Sequence, residues 1–573
     1  MFVLRRADIV LATALFVCAL TTTDFWKSVQ WLSSSESYSL KRAKVGFAGI
    51  DLDQARSSID ARVPASRPVW LEPRLEDSSY VLQNRAFVVQ RLTEGLYPRV
   101  VEPGSSDFIE WKDLRVAAGG PIPSSASTAS IWGALDALLS LALLGLLARW
   151  PARRLFAFEK VDISPAAFVP LIVLVGAAVI AVKTSAQSWL QLSWPGIFPG
   201  FGFLTLALVF PAVRSRLGWP ALATKMTAYP ERSVLALYLI SLGVRAWMNP
   251  IVLWDARSIW FFAADRLHQH GMLAVADLTH VASTWSHPDY PLFYASLAAF
   301  FSTSTVVFSE RMAAMCIPVL GFATLSLLWA LSRRALGRWP GLLFTIAIAL
   351  LTDGLTIGGY VDGFLSHLLL IEVLAFSAES TRGLAWLAVG CASLLKTEGL
   401  VLATAIAVMA ESGRKGVPLR SRAIGFLVLG PAVVHRLWVG SLGVNSLFVN
   451  APPGNDIATA FFPRVGQVLM EMPKILVGTT YIYLQPALSS GVAALVLAIG
   501  LQIKRGQKAV PSARLALLAG FATAAFAVGS ISALPEDIHW FVWNTLDRLL
   551  LHPSLLFTLS ALLAARLRVT GST

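Results

Sequence analysis

The chain is expected to fold as an all-α polytopic membrane bundle with a small extracytoplasmic α/β domain near its N-terminus. Three observations carry this expectation. Of 573 residues, 55% are hydrophobic and 14% are charged, whereas a soluble chain carries roughly a quarter charged residues. The mean hydropathy is +0.64, and apolar runs near the length needed to cross a bilayer recur along the chain. The formal charge is +13, yet the basic residues gather in short loops: Arg5-Arg6, Arg149 to Arg154, Arg214 to Arg232, Arg333 to Arg338, Arg414 to Arg422, Lys504 to Arg514 and Arg566 to Arg568. That is the positive-inside pattern, so the charge reports topology and nucleic acid is not an expected partner.

Met1 to Leu20 has a basic start and an apolar centre. A cleaved signal peptide would look similar, but Thr21-Thr22-Thr23-Asp24 is a poor small-x-small cleavage site. Residues 1–23 therefore read as a short retained anchor, with Ile9 to Leu20 in the membrane and the N-terminus in the cytoplasm. Residues 24–128 form the one long polar segment. Mixed charge, the strand-like run Ala86-Phe87-Val88-Val89 and a Ser/Gly/Pro-rich exit over 119–130 predict a small α/β domain and a linker. The domain contains Asp51-Leu52-Asp53. Such three-residue acidic patterns recur by chance, and this one lies on the side where nucleotide-sugars are not found.

Residues 129–232 supply additional transmembrane helices, and residues 233–573 a larger membrane domain. The apolar runs alternate with basic loops: 131–147, 166–182, 197–213, 233–247, 312–331, 340–351, 363–376, 384–395, 400–409, 423–439, 493–501, 515–528 and 549–564. With the N-terminal anchor this makes about fourteen crossings, both termini inside by the loop-charge rule. A full crossing by Leu292 to Phe301 would place Arg333-Arg334 outside. That run is therefore expected to be re-entrant or surface-lying, as is Phe462 to Tyr483. Cys18, Cys316 and Cys391 all sit in apolar stretches without metal-ligand spacing, and read as small buried hydrophobes.

The loop from Pro250 to Tyr294 falls on the extracytoplasmic side. It gathers Trp254, Asp255, Arg257, Trp260, Asp265, Arg266, Asp277, His280, His287, Asp289 and Tyr290, and ionisable residues at the mouth of a membrane bundle point to function. Asp255 precedes a helical pattern in which Trp260, Ala263, Ala264 and Leu267 share a face, so it is a candidate N-cap as well as an active carboxylate. In His287-Pro288-Asp289-Tyr290-Pro291 two prolines restrict the backbone. A His and an Asp there suit a phosphate or a sugar, and the end of a loop is the plainer reading. Asp362 and Lys396 lie at the outer ends of neighbouring apolar runs, with Glu398 following. Interfacial snorkelling explains them equally well, yet a lysine there also neutralises a lipid phosphate. Near the last run, Glu536-Asp537-Ile538-His539 and Leu546-Asp547-Arg548 with His552 offer an Asp-Arg pair and two histidines. A helix-end ion pair is one reading and phosphate recognition by the arginine fork the other. Phosphate-loop, dinucleotide-loop and H-E-x-x-H patterns do not occur.

At these residues the chain resembles the bacterial GT-C glycosyltransferases that use polyprenyl-phosphate sugars, the protein O-mannosyltransferase and lipid A aminoarabinose transferase group. The resemblance spans residues 233–570. It rests on Trp254-Asp255-Ala256-Arg257-Ser258-Ile259-Trp260, on His287-Pro288-Asp289-Tyr290-Pro291-Leu292, on Asp362 opening a helix, on Lys396-Thr397-Glu398-Gly399 and on Leu546-Asp547-Arg548-Leu549-Leu550. Asp255 lacks the following Glu of the Asp-Glu pair common in that family. The resemblance implies a bacterial inner-membrane enzyme whose site faces the periplasm or cell exterior. It would move a sugar from a polyprenyl-phosphate donor to a glycan, lipid or protein hydroxyl, with no cofactor and no metal. Asp255 and Asp362 would be catalytic, with Asp255 the general base. His287, Lys396 and Arg548 would bind the donor phosphate, and Trp254, Arg257, Trp260, Asp289, Tyr290 and His552 the sugar or acceptor. Asp255 is then expected to line the largest outward-facing cavity. Two other classes fit the composition. A flippase for a lipid-linked glycan would use polar residues at mid-membrane depth, for which Asp136, His367, Glu372 and His435-Arg436 are candidates. A non-catalytic subunit of an envelope polysaccharide system would use the 24–128 domain for docking.

Overall fold

A computed structural model describes residues 12–17, 70–71, 108–109, 131–156, 165–193, 230–249, 251, 255–279, 287, 289–305, 308–414, 419–444, 457–477, 485–505, 511–532 and 545–566. Nearly all of this is helix. Among the described residues the only strands are β1 (Trp70–Leu71) and β2 (Phe108–Ile109), which pair in parallel. The remainder of the expected α/β domain, including Ala86 to Val89, lies outside the described residues, as do the expected crossing 197–213 and most of the N-terminal anchor.

Seven helical stretches among the described residues are long and apolar enough to cross a bilayer: Ile131–Ala148, Phe168–Trp189, Glu310–Leu336, Arg422–Ser441, Ala487–Lys504, Pro511–Ser532 and Arg548–Arg566. They make the chain a membrane protein. The sequence led to an expectation of twice that number; of the rest, 197–213 and most of the anchor lie outside the described residues, and several others are shorter helices. The expected crossings at 363–376, 384–395 and 400–409 are helices of 15, 14 and 16 residues, short of the ~20 that span a hydrocarbon core unaided. The first is buried throughout, whereas the third exposes Val401 and Val408.

In chain order the helices that matter for the site are α1 (Ile131–Phe156), α2 (Pro165–Trp189) and α3 (Pro230–Met248). A π-helical turn, Ala256–Phe261, then runs into α4 (Phe262–His270). Gly271 ends α4 with φ 70°, a left-handed position that glycine adopts without a Cβ penalty. Next come α5 (Val275–Thr279), α6 (Phe293–Ser302), α7 (Cys316–Leu336), α8 (Arg338–Leu351) and α9 (Asp353–Ile357). The central hairpins follow: α10 (Asp362–Phe376), α11 (Arg382–Leu395) and α12 (Thr397–Ser412). After these come α13 (Leu419–Phe426), α14 (Gly430–Ser441), α15 (Ile457–Val477), α16 (Gln485–Arg505), α17 (Pro511–Ser532) and α18 (Asp547–Arg566). All ten residues of α6 are buried, as expected for a short helix covered by protein. Of the expected re-entrant run 462–483, residues 462–477 lie in the 21-residue α15, which carries Pro463 and Pro473 inside it, and the rest lies outside the described residues.

Every residue of α10 is buried, so it is the axis of the bundle. Outer helices instead expose apolar side chains such as Trp132, Leu237, Ile240, Leu437 and Val496, which lipid tolerates and water does not. The ends of the interior helices are tied together at one pole. Arg334 donates to Ser380 Oγ at 3.0 Å, Arg382 pairs with Glu379 at 3.0 Å and with Glu411 at 2.5 Å, and Arg414 bridges to Glu379. Arg566 donates to the carbonyls of Arg334 and Ala335. So α7, α10, α12 and α18 finish together at a basic pole, and α10, α12 and α18 begin at the opposite one, roughly 20–30 Å away at 1.5 Å per residue.

Candidate functional site

The pole where α10, α12 and α18 begin carries a chain of alternating charges. Arg548 Nη1 lies 2.7 Å from Asp255 Oδ2 and 3.8 Å from Asp362 Oδ2. Lys396 Nζ lies 3.1 Å from Asp362 Oδ1 and 3.2 Å from Glu398 Oε1. The order is Asp255, Arg548, Asp362, Lys396, Glu398, contributed by four separate segments. Asp362 is positioned by the turn before it, where Gly359 takes φ +89°. A Cβ on Gly359 would stand 2.8 Å from the Ala256 Cβ, so this turn packs directly on the π-helical turn that follows Asp255. Lys396 is a single extended residue, φ −158° and ψ 152°, between α11 and α12. That hairpin closes tightly because Gly399 has no side chain: a Cβ there would lie 2.1 Å from the Ala392 carbonyl oxygen.

Burial by itself would raise the Asp362 carboxyl, but the Lys396 and Arg548 charges outweigh it and lower it to about 2. For Lys396, burial favours the neutral amine, yet Asp362 and Glu398 override it and raise its pKa above the ordinary lysine value. Both groups are therefore charged at neutral pH. Arg548 also stacks on Tyr360, guanidinium carbon to ring centroid 4.6 Å. One turn further into the bundle, α10 and α18 meet again. Ser366 Oγ gives its single proton to the Asp362 carbonyl at 3.0 Å, so it accepts from His552 Nδ1–H at 2.8 Å. Ser366 and His552 lie four residues after Asp362 and Arg548, so each pair shares a helix face.

A second layer braces the Tyr290 segment. Tyr290 stacks between Trp260 at 5.3 Å and His287 at 4.9 Å. His287 takes φ +44°, a strained position for a residue with a Cβ. Trp189 Nε1 donates to His435 Nδ1 at 3.4 Å, so His435 carries its proton on Nε2 and donates it to the Tyr290 carbonyl at 3.1 Å. Asp289 pairs with Arg436 at 2.7 Å and lies 4.0 Å from His287. Lys396 Nζ sits 6.0 Å from the Tyr290 ring centre, which links this layer to the charge chain. Burial, then the charges of Glu398, Asp289, Asp255 and Asp362, push the Tyr290 phenol well up, so it stays protonated.

The residues singled out by sequence separate accordingly. Asp255, Asp362, Lys396 and Arg548 come together, and Trp260, His287, Asp289 and Tyr290 form the bracing layer beside them. Trp254 lies outside the described residues. One expectation is corrected. Asp255 makes no side-chain capping bond, because its backbone is already helical (φ −59°, ψ −34°) and its carboxylate turns to Arg548. Arg257 is fully buried, with Nε donating to the Ile251 carbonyl. His552 is buried against Ser366, one turn beneath the charge chain. A recess of ≈ 370 Å³ is lined by Trp260, Phe262, Leu273, Asp277, His287 and Tyr290 among others. Asp255 is not among its lining residues.

Two partners were not singled out by sequence as site residues. Glu398 completes the charge chain, and its place two residues after Lys396 in a first helical turn was the available signal. Tyr360, under Arg548, carries no such signal. Separately, Arg245 and Asp353 form a fully buried two-pronged ion pair at 2.6 and 2.8 Å, with Tyr238 donating to the same carboxylate at 2.7 Å. A lone arginine in the apolar run of α3 requires such a partner. No cluster of metal-ligand type occurs among the described residues. Comparisons of the chain with protein-family models, with curated proteins and with solved structures found no match.

Proposed function

We propose that the protein is a membrane glycosyltransferase that moves a sugar from a polyprenyl-phosphate donor to an acceptor hydroxyl on the extracytoplasmic side. The observation that carries this reading is the charge chain, in which Asp255, Arg548, Asp362, Lys396 and Glu398 converge from four segments at one pole of a membrane bundle. In this scheme Asp255 takes the proton of the acceptor hydroxyl as its oxygen attacks the anomeric carbon. Arg548 stabilises charge on the departing lipid phosphate. Asp362 holds Arg548 and Lys396 in place. Because the donor is carried by a lipid, no nucleotide-binding domain is required.

The proposed setting is a bacterial inner membrane, about fourteen crossings, with the charge chain facing the periplasm or exterior. Its support is the opposite pole, where Arg334, Arg382, Arg414 and Arg566 gather, since loops rich in Lys and Arg stay cytoplasmic. The test is transfer of labelled sugar from a polyprenyl-phosphate donor by the purified protein in lipid nanodiscs.

One observation favours a lipid-glycan flippase instead. Glu372, one turn before the end of α10, is fully buried, and neither carboxyl oxygen has a hydrogen-bond partner among the described residues. Such a group is costly in a bilayer and commonly functional. Asp136 is also buried, whereas three further candidates are engaged at the site or in the core: His435 and Arg436 brace Tyr290 and Asp289, and His367 bonds to Thr324 and Thr352. Glu372→Gln discriminates the two, because a flippase using Glu372 loses translocation whereas the transferase retains turnover.

A further inference from the structure

Both cations of the charge chain are already occupied, which poses a difficulty for any anionic substrate. Among its described members the chain holds three carboxylates and two cations. An arriving phosphate competes with these carboxylates for the two cations. The two cations differ in how firmly they are held. Lys396 is clamped between Asp362 and Glu398 at 3.1 and 3.2 Å, and all three side chains are below 10% exposed. Arg548 is held by Asp255, whose side chain is 22% exposed and is the open end of the chain.

Resting on the transferase reading above, we propose that Arg548 exchanges partners during the reaction. The donor phosphate takes the guanidinium from Asp255, and the carboxylate so released becomes the proton acceptor. Four features fit. The Nη1 that bonds Asp255 also reaches Asp362 at 3.8 Å, and the guanidinium rests on Tyr360 at 4.6 Å, so Arg548 stays anchored when Asp255 departs. Asp255 makes no capping bond whose loss would unwind its helix. Its other oxygen accepts no hydrogen bond among the described residues, leaving it open to an acceptor hydroxyl. Finally, α10, α12 and α18 direct their N-termini at this pole, and the partial positive charge of about half a unit at each offsets the surplus carboxylate and favours an entering anion.

The exchange orders the chemistry. Before the donor arrives, Asp255 Oδ2 is bonded to Arg548 Nη1. Once it is released, the acceptor oxygen bonds to the anomeric carbon and gives its proton to Asp255. The bond from the anomeric carbon to the phosphate oxygen breaks, and its electron pair leaves on the phosphate beside Arg548. Lys396, clamped on both sides, acts as a positioning residue for Asp362 and does not touch the phosphate.

Competition for one guanidinium has a measurable sign. The probe is a radiolabelled short-chain isoprenyl monophosphate, and the protein is full-length in nanodiscs. Asp255→Asn removes the competing charge, so it is expected to bind the probe about tenfold more tightly, on the scale of one charged hydrogen bond. Asp255→Ser is expected to do the same. In an Arg548→Gln background, where there is nothing to compete for, Asp255→Asn is expected to change nothing. Unchanged or weaker binding in both Asp255 variants with Arg548 present overturns the exchange while leaving the transferase reading intact. If the wild-type protein binds the probe no better than Arg548→Gln does, the phosphate-donor reading itself fails, and the exchange fails with it.

Discussion

Arg548 stands in the first turn of α18, where the helix dipole disfavours a cation. Its pairing with Asp255 and Asp362 removes that cost and ties the outer loop to the bundle axis. Lys396 is tied more deeply. Lys396→Met would leave Glu398 without its cation and Asp362 with the more distant Arg548 alone, a loss on the scale of roughly 3–5 kcal/mol for a broken buried pair. Thermal unfolding in nanodiscs checks this, and a melting temperature within a degree or two of wild type would show the clamp to be idle. The pH dependence follows from the two shifts. The Asp362 carboxyl lies below its unfolded value, so its contribution is full above about pH 4 and is lost as pH falls toward 2. Lys396 lies above its unfolded value, so its contribution is full below about pH 10 and is lost only in stronger base. In the wild-type protein these two groups are therefore expected to add no slope to the melting temperature between about pH 5 and pH 9. A slope within that window would mean that another group titrates in the cluster.

At the scale of elements, two close approaches set the site. The Gly359 turn lies against Ala256, and the α11–α12 hairpin closes over Gly399. Gly359→Ala puts a Cβ both into a positive-φ backbone and against Ala256. It is expected to cost about 1–3 kcal/mol and to reduce turnover by shifting Asp255 away from Arg548. Gly399→Ala, which meets the backbone of Ala392, is expected to lower stability further. Wild-type turnover in both would detach the site from these contacts. Much of this layer was legible in the sequence. The alternation of apolar runs and basic loops locates the described membrane helices, and Asp255, Asp362, Lys396 and Arg548 each stand out as charges beside apolar runs. Their pairing was not legible, because 293 residues separate Asp255 from Arg548 and no local pattern links them. The π-helical turn was hidden for a related reason: Asp before Ala-Arg-Ser is a good cap by composition, and only the distant arginine draws its carboxylate away. Arg245 with Asp353 shows the same limit, since an isolated arginine announces that it has a partner without saying which.

The whole molecule has two poles, a basic one and one bearing the charge chain, joined by interior helices too short to cross a bilayer unaided. Single cysteines on a background lacking Cys18, Cys316 and Cys391 test its orientation. A cysteine at Ser380 is expected to react with an impermeant maleimide only after the membrane is opened, and one at Gln269 in intact spheroplasts. The reverse pattern would invert the proposed topology. Protease added to spheroplasts is likewise expected to cut within 24–128 and to spare 414–422. If the charge chain is an active site whose base is Asp255, one substitution abolishes its chemistry without disturbing its geometry. Asp255→Asn keeps the size of the side chain and removes its capacity to accept a proton. With a labelled polyprenyl-phosphate sugar and the purified protein in nanodiscs, turnover is expected to fall by roughly two to four orders of magnitude, while the variant still inserts and still binds the lipid phosphate. Turnover near the wild-type rate would contradict the account and leave the Asp255–Arg548 pair as a structural tie.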